Sequence, residues 1–175
     1  MIRKTLLAVG LALAVTGAAH AESVTRTPLP GDGKFPIAAA VTIPAGYDLV
    51  YLSGNLPSVA NPDAPKGSVE SYGNTETQTA SALKKLGDTL AAVGLSYSDV
   101  VAAHVYMVGD PNKNGEIDFA GMNAAFGAVF GSEAQPNKPA RSTVKVAGLV
   151  LPGALVEIDL IAAKPPKAKT KIKSK

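Results

Sequence analysis

The sequence predicts an α+β fold in which a single mixed β-sheet carries two helices on one face. Apolar residues recur at helical spacing in two segments, residues 75–93 and 118–130, and strand-like runs of β-branched and apolar residues flank both segments. The predicted order along the chain is therefore β-β-α-β-α-β-β. A sheet and two amphipathic helices bury their apolar surfaces most completely when they pack as two layers, which is the arrangement we expect.

The first two strands and the first helix are predicted from local signals. Residues 22–35 are polar and rich in proline and glycine, which is typical of a lead-in loop, and short strands follow at 37–43 and 49–53. Residues 55–73 contain three prolines and two glycines, so we expect a long loop there. The segment Thr75–Gln78 matches a capping box, whose glutamine reaches back to the first turn of the helix.

The second half of the domain is predicted to contain a buried strand, a helix and a hairpin. Val100–Val108 is apolar at nearly every position, which is typical of a central strand that is covered on both faces. Strands at 141–150 and 155–162 flank Pro152-Gly153, which indicates an antiparallel hairpin. The sheet face without helices also carries apolar residues, so we expect the chain to associate with itself through that face.

Both ends of the chain differ from the domain between them. Residues 1–21 combine a basic start with an apolar stretch and the pattern Ala19-His20-Ala21, which predicts a cleaved secretory signal peptide and a periplasmic or secreted protein. Residues 164–175 contain six lysines and no acidic residue, so we expect a disordered tail, either solvated or in weak contact with an anionic surface. Residues 22–163 form the single predicted domain.

Composition argues against several classes of function. The predicted domain has nine basic and 14 acidic residues, a formal net charge of −5, which disfavours nucleic acid as its main partner. The chain has no cysteine, so neither thiol catalysis nor a cysteine metal site is available to it. The sequence also contains no phosphate-binding glycine loop and no G-x-S-x-G nucleophile elbow.

Arg141 is the most informative candidate site residue. It follows Pro139-Ala140 at the start of an apolar, β-prone segment, where an unpaired charge is costly to bury. A guanidinium binds a carboxylate through two parallel hydrogen bonds, so its partner is either a substrate or the protein's own Glu157. In the predicted hairpin these two residues lie on the order of 20 Å apart, which places any shared pocket between subunits. An inter-subunit ion pair without chemistry is the alternative.

Two weaker candidates are a calcium loop and a histidine. The segment 110–118 follows the pattern of a calcium-binding loop, with oxygen ligands at Asp110, Asn112, Asn114 and Asp118. Gly121 occupies the loop position of the bidentate glutamate, so an ordinary turn before a helix is the favoured interpretation and no metal is expected. His104 is the only histidine of the predicted domain, and its place in a buried strand favours a hydrogen-bonded core residue over a catalytic base.

Five segments stand out as a set. They are Ser53-Gly54-Asn55-Leu56-Pro57, the capped helix after Thr75, Gly94-Leu95-Ser96 with Asp99-Val100-Val101, Pro139-Ala140-Arg141-Ser142-Thr143-Val144, and Gly153-Ala154-Leu155-Val156-Glu157-Ile158. In this order and at this spacing they resemble the reactive-intermediate deaminase family, also called Rid or YjgF-like. The resemblance extends from about Phe35 to Ala162, which is nearly the whole predicted domain.

The resemblance implies a chorismate-mutase-like homotrimer with active sites between subunits and no cofactor. It implies hydrolysis of enamine or imine intermediates of 2-amino acids to 2-keto acids and ammonia, as by a 2-iminobutanoate/2-iminopropanoate deaminase. In that reaction Arg141 holds the carboxylate of the small-molecule substrate, and Glu157 activates the attacking water. The other positions that the resemblance assigns to the substrate pocket are Ser53, Gly54, Asn123 and Thr143.

The sequence departs from the family pattern at two site positions. Ile37 stands where the family often has a tyrosine that lines the site, and Thr143 stands where a cysteine often follows the arginine. Because the carboxylate clamp and the water-positioning acid are kept, an exported deaminase is the first hypothesis. The second is a trimer that binds a small carboxylate without turnover. The third is a ribonuclease or translation inhibitor, which the acidic domain disfavours.

Overall fold

The protein is described by a computed structural model that covers residues 22–31, 33 and 35–167. The predicted signal peptide, residues 1–21, lies outside the described residues, and so do residues 168–175 of the predicted tail. Within the described part of the chain, no helix combines the length and the apolar character that crossing a membrane requires. The last strand of the domain ends at Lys164.

Six strands and three α-helices make up the described part of the chain. The strands are β1 (Thr25–Pro28), β2 (Ala38–Thr42), β3 (Asp48–Asn55), β4 (Val100–Met107), β5 (Ala140–Lys145) and β6 (Val156–Lys164). The helices are α1 (Val69–Tyr72), α2 (Thr75–Ala92) and α3 (Phe119–Val129). Strand β1 and helix α1 form in segments for which the sequence predicts loops. Strand β1 is held in place by antiparallel pairing with β2, a contact that local sequence signals do not predict.

The main sheet has the strand order β3-β6-β4-β5. Strand β5 is parallel to β4, and the other neighbouring strands are antiparallel, so the predicted mixed sheet is confirmed. Helices α2 and α3 pack on one face of the sheet and enclose the core with it. Fully buried members of that core are Leu86, Val105, Phe126, Ile158 and Leu160. Strands β1 and β2 form a separate two-stranded ribbon beside β5, where the Ala38 N–H donates to the Pro139 carbonyl.

The predicted hairpin of residues 141–150 and 155–162 is wrong. Strand β5 ends at Lys145, and β6 pairs with β3 and β4 rather than with β5. The chain enters β5 from β4 through α3, and such a crossover connection makes the two strands parallel. Pro152 and Gly153 do form a turn, but that turn lies in a loop against the Ser68 carbonyl. A turn signal reports a local change of direction and does not specify which strands pair.

Helix α2 begins with a different cap from the predicted capping box. Asn74 is the N-cap residue, and its side chain accepts a hydrogen bond from the Thr77 N–H at 2.9 Å. Gln78 is fully buried. Its amide donates to the Gly153 carbonyl at 3.2 Å and accepts from the Leu155 N–H at 2.7 Å. Gln78 therefore connects the start of α2 to the loop that leads into β6.

Candidate functional site

The two predicted catalytic residues lie on opposite faces of the main sheet. Arg141, on the edge strand β5, pairs with Ala103 and directs its guanidinium toward α3. Glu157, on β6, alternates with buried Val156 and Ile158, so it projects from the face that the helices leave uncovered. Strand β4 lies between β5 and β6, and Arg141 and Glu157 pair with β4 residues that are three positions apart. The Cα atoms of Arg141 and Glu157 are therefore on the order of 14 Å apart. The two residues do lie apart within one chain, but the distance is shorter than the roughly 20 Å of the predicted hairpin, and it is the opposite orientation of the side chains that separates them.

On the helix side of the sheet, Arg141 lies against aromatic rings of α3. Its guanidinium carbon is 4.5 Å from the ring centroid of Phe126 and 5.7 Å from that of Phe119. Its Nη2 donates a hydrogen bond to the side-chain oxygen of Asn123 at 3.0 Å. Thr143 follows Arg141 by two residues and therefore shares its face of the strand. We call these five residues the helix-side half-site.

Arg141 is held with unused hydrogen-bonding capacity. Among the described residues, its buried Nη1 and the buried hydroxyl oxygen of Thr143 have no hydrogen-bond partner. No described carboxylate forms an ion pair with Arg141. Burial lowers the pKa of Arg141 to about 10, because desolvation disfavours the charged form, and the guanidinium therefore remains charged at neutral pH. A buried charged donor without an acceptor is costly, and an anionic ligand would relieve that cost.

On the uncovered face of the sheet, Glu157 lines a cavity of about 360 Å³. Its carboxylate lies over Gly54, in the space that a Cβ atom on that residue would occupy. Strand β3 contains an extra residue at Ser53 and Gly54 relative to its partner β6, a β-bulge that places the glycine beside the glutamate. Gly54 lines the cavity with Glu157, whereas the exposed Ser53 is not one of its lining residues.

Three polar side chains near Glu157 are not among the predicted site residues. His104 Nδ1 lies 2.7 Å from Asp159 Oδ1, and the Tyr106 hydroxyl donates to Asp159 Oδ2 at 3.2 Å. The His104 side chain is 41% exposed, so the expectation of a core histidine is wrong, although the residue does have a hydrogen-bond partner. We call Gly54, His104, Tyr106, Glu157 and Asp159 the open-face half-site.

A sequence signal for these residues does exist. In β4, His104 and Tyr106 alternate with the buried residues Val105 and Met107, and in β6 Asp159 alternates with its apolar neighbours in the same way. A period of two is typical of a strand with one covered and one uncovered face. Because most residues of Val100–Val108 are apolar, the sequence predicts a strand that is covered on both faces. That prediction is wrong, since one face of β4 is only partly buried.

The predicted calcium ligands take part in the turn before α3. Asp110 is buried, and its carboxylate accepts a hydrogen bond from the Asn112 N–H at 2.9 Å, while Asn114 adopts a left-handed φ of 56°. Asp118 caps α3 and also pairs with Lys113 at 3.3 Å. Among the residues that the structure describes, no group of three or more His, Cys, Asp or Glu side chains could hold a metal ion. Each carboxylate among the four predicted ligands therefore has a structural role in the turn.

The two half-sites have complementary chemistry. The helix-side half-site offers a charged, incompletely satisfied donor on an apolar support, which suits a carboxylate. The open-face half-site offers a carboxylate, Glu157, that makes no hydrogen bond to another described residue and borders a cavity large enough for a small molecule. Because the sheet lies between the half-sites, one chain alone cannot bring both to a single small substrate. Arg141 and Glu157 can act together only if they come from different chains.

Comparison with known proteins identifies relatives of the whole domain. The profile of the family described as Endoribonuclease L-PSP matches residues 38–164. A RutC family protein from Pyrococcus horikoshii is 34% identical over 120 residues, which are 67% of this chain and 86% of that protein. The chloroplastic Reactive Intermediate Deaminase A from Arabidopsis thaliana is 37% identical over 115 residues, which are 66% of this chain and 53% of that protein.

Solved structures share the fold. The Rid family protein YyfB from Yersinia pestis superposes with a TM-score of 0.55 at 24% identity, over 73% of this chain and 86% of that one, a likeness that concerns the fold alone. The family profile includes every element from β2 to β6, so both half-sites lie within it. This chain therefore belongs to the Endoribonuclease L-PSP family, which is also the YjgF or Rid family.

Proposed function

We propose that this protein hydrolyses imines of 2-amino acids to 2-keto acids and ammonia, at sites that form between the chains of a homotrimer. The observation that carries the proposal is the state of Arg141, a half-buried cation with a buried, unpartnered Nη1 and no described carboxylate within ion-pair distance. An unpaired donor on a half-buried charge is costly, so an acceptor from outside the chain would stabilise it. The carboxylate of a 2-imino acid supplies the acceptor that Arg141 lacks.

In the proposed reaction Glu157 is the general base. It takes a proton from a water molecule while the water oxygen bonds to the carbon of the cationic imine and the C=N π electrons move to nitrogen. Glu157 then returns this proton to the nitrogen of the carbinolamine. The C–N bond breaks, the carbinol oxygen becomes the keto oxygen, and its released proton leaves on ammonia as ammonium. No metal or organic cofactor takes part in these steps.

The proposed trimer supports this chemistry because it brings half-sites from neighbouring chains together. The uncovered sheet face exposes apolar side chains, including Tyr51 at 72% and Val144 at 47%, and such surface can mark a contact between chains. In a ring with heterologous contacts, each interface pairs the helix-side half-site of one chain with the open-face half-site of the next. Three equivalent interfaces would then give three sites.

The name of the family does not by itself favour ribonuclease activity for this chain. RNA binding rests on neutralising phosphates with basic side chains. The predicted domain has a formal net charge of −5, and Arg141 is half-buried against the rings of Phe119 and Phe126 rather than exposed on a basic surface. A small carboxylate suits this environment better than a polyanion does.

The test is an imine-hydrolysis assay with matched variants. The imine is generated in situ by an amino-acid oxidase, and the release of 2-keto acid is followed with and without the protein. Wild type should accelerate release, and Arg141→Met should lower kcat/KM by roughly 100-fold or more, because a buried charge-assisted contact is worth about 2–5 kcal/mol. Glu157→Gln should lower kcat much more than it raises KM.

Lys145→Met is the matched control for Arg141→Met. It removes one positive charge from the same strand, from a half-exposed side chain, and should leave kcat/KM near the wild-type value. Arg141→Met should also keep the melting temperature at or above that of wild type, because it removes the desolvation cost of a buried charge. If wild type does not accelerate hydrolysis but binds a keto acid, and that binding needs Arg141, the deaminase hypothesis is wrong. The non-catalytic carboxylate-binding trimer is then the favoured hypothesis.

A further inference from the structure

The open-face half-site contains a hydrogen-bonded chain that the hydrolysis described above does not use. Residues His104 and Asp159 are directly opposite in the β4–β6 pairing, and Tyr106 is directly opposite Glu157. Asp159 Oδ1 is engaged by His104 at 2.7 Å, and Asp159 Oδ2 is engaged by the Tyr106 hydroxyl at 3.2 Å. Asp159 thus has both oxygens occupied, whereas Glu157 beside it has no hydrogen bond to a described residue.

The Tyr106 hydroxyl makes one side-chain hydrogen bond, to Asp159 at 3.2 Å. Its proton is directed to Asp159, so its oxygen lone pairs are left to accept a hydrogen bond from another donor. The charge of Asp159, with smaller contributions from burial and from Glu157, raises the pKa of Tyr106, and the phenol therefore stays protonated at neutral pH. Tyr106, Glu157 and Asp159 all line the same cavity.

A cavity of this composition suits a positively charged N–H donor. Two carboxylates, Glu157 and Asp159, provide a negative potential, and the Tyr106 oxygen provides an acceptor within it. A 2-imino acid in its cationic form carries such a donor, and so does a 2-amino acid, whereas a 2-keto acid has only acceptors at that position. The cavity therefore distinguishes the nitrogen end of the substrate from the oxygen end of the product.

We propose that Tyr106 binds the substrate nitrogen by accepting one of its N–H groups, and that the site selects 2-nitrogen-substituted carboxylates over 2-keto acids. This inference rests on the proposed function, since it assumes that Arg141 of a neighbouring chain holds the carboxylate of the same molecule. Asp159 is a positioning residue, because it orients the Tyr106 hydroxyl, and His104 holds Asp159 in turn. Release of the keto acid follows from the loss of the N–H donor.

The test is equilibrium binding of two stable probes, alanine and pyruvate, by calorimetry on the oligomer. Wild type should bind alanine more tightly than pyruvate. Tyr106→Phe should lower alanine affinity on the order of tenfold and leave pyruvate affinity unchanged, because a hydrogen bond to a charged group is worth roughly 1.5–3 kcal/mol. Asp159→Asn should lower alanine affinity in the same direction. Tyr51→Phe removes a phenol hydroxyl from the same sheet face outside the cavity and should change neither affinity.

The outcomes separate this inference from the proposed function. Loss of both affinities in Tyr106→Phe, or no preference for alanine in wild type, would overturn the role of Tyr106. If Tyr106→Phe keeps the wild-type preference while wild type still hydrolyses imines, the inference fails and the deaminase stands. If the preference depends on Tyr106 but wild type does not accelerate hydrolysis, the deaminase fails and nitrogen recognition by Tyr106 stands.

Discussion

The helix-side and open-face half-sites differ in how completely each is satisfied by its own chain. In the helix-side half-site, the half-buried Arg141 has one side-chain hydrogen bond, to Asn123, and one buried nitrogen without a partner among the described residues. In the open-face half-site, Asp159 is fully engaged by two neighbours, and only Glu157 is free of hydrogen bonds to described residues. The difference is that the helix-side half-site leaves a charged donor incompletely satisfied, whereas the open-face half-site is held together by its own hydrogen bonds and leaves one carboxylate without a partner among the described residues.

The same comparison shows a consequence of having Arg141 and Glu157 on different faces of the sheet. A cation and a free carboxylate on one face would pair with each other and consume the groups that a substrate needs. Placing Arg141 on the helix side and Glu157 on the uncovered face prevents that pairing within one chain, because the sheet itself lies between them. In the proposed trimer a neighbouring chain would complete the site, with the substrate between the two charges.

Among substitutions that keep Glu157 itself, the largest effect on the open-face half-site should come from Gly54→Ala. The added Cβ would overlap the Glu157 carboxylate and force it from its position. Displacing a catalytic base by about 1 Å can cost roughly 100-fold in rate, so kcat should fall by that order while the melting temperature changes little. Steady-state kinetics and thermal unfolding of the same preparation measure both quantities.

A double-mutant cycle shows whether this effect passes through Glu157. In a Glu157→Ala background, Gly54→Ala should add little further loss, because the clashing carboxylate is gone. Gly127→Ala in α3, where the added methyl meets only Pro36 at 3.9 Å, is the control for adding a methyl group elsewhere and should leave kcat unchanged. Fully additive losses in the cycle would show that the glycine acts independently of the glutamate.

The smallest effect should come from Asp118→Ala, on the helix-side half-site. Asp118 caps the N-terminus of α3, the helix that carries Asn123 and Phe126. Loss of an N-cap costs about 1 kcal/mol of stability, so the free energy of unfolding should fall by that amount with little change in kcat. Urea unfolding with and without calcium checks both interpretations of the loop. A large stabilisation of wild type by calcium that is lost in Asp118→Ala would favour the calcium site.

The sequence predicts local elements well and strand pairing poorly. The capped helix near Thr75 and the helix near Phe119 are visible because helical periodicity is a local property. The hairpin prediction fails because Pro152-Gly153 specifies a turn, whereas the partner of β5 is decided by the α3 crossover and by burial of β6 between two strands. Such pairing depends on contacts far apart in sequence.

The candidate site divides in the same way. Arg141 stands out by its residue type and its place before a strand, and Glu157 stands out as an acidic residue in the last apolar segment. Gly54 is predicted only through the family resemblance. The sequence does not predict that His104, Tyr106 and Asp159 lie together. They share one face of the sheet because β4 pairs with β6 in the observed register. Ile37 lies just before β2 and packs partly buried against the core, where it offers an apolar side chain and no polar group.

The most direct test of the account is subunit complementation between Arg141→Met and Glu157→Gln. The two inactive variants are co-expressed with different tags, and oligomers that carry both tags are purified and assayed for imine hydrolysis. If each site takes Arg141 from one chain and Glu157 from the next, every mixed trimer has one complete site, which is roughly a third of the wild-type sites. Mixed oligomers that form but have no more activity than either parent would contradict a site shared between chains.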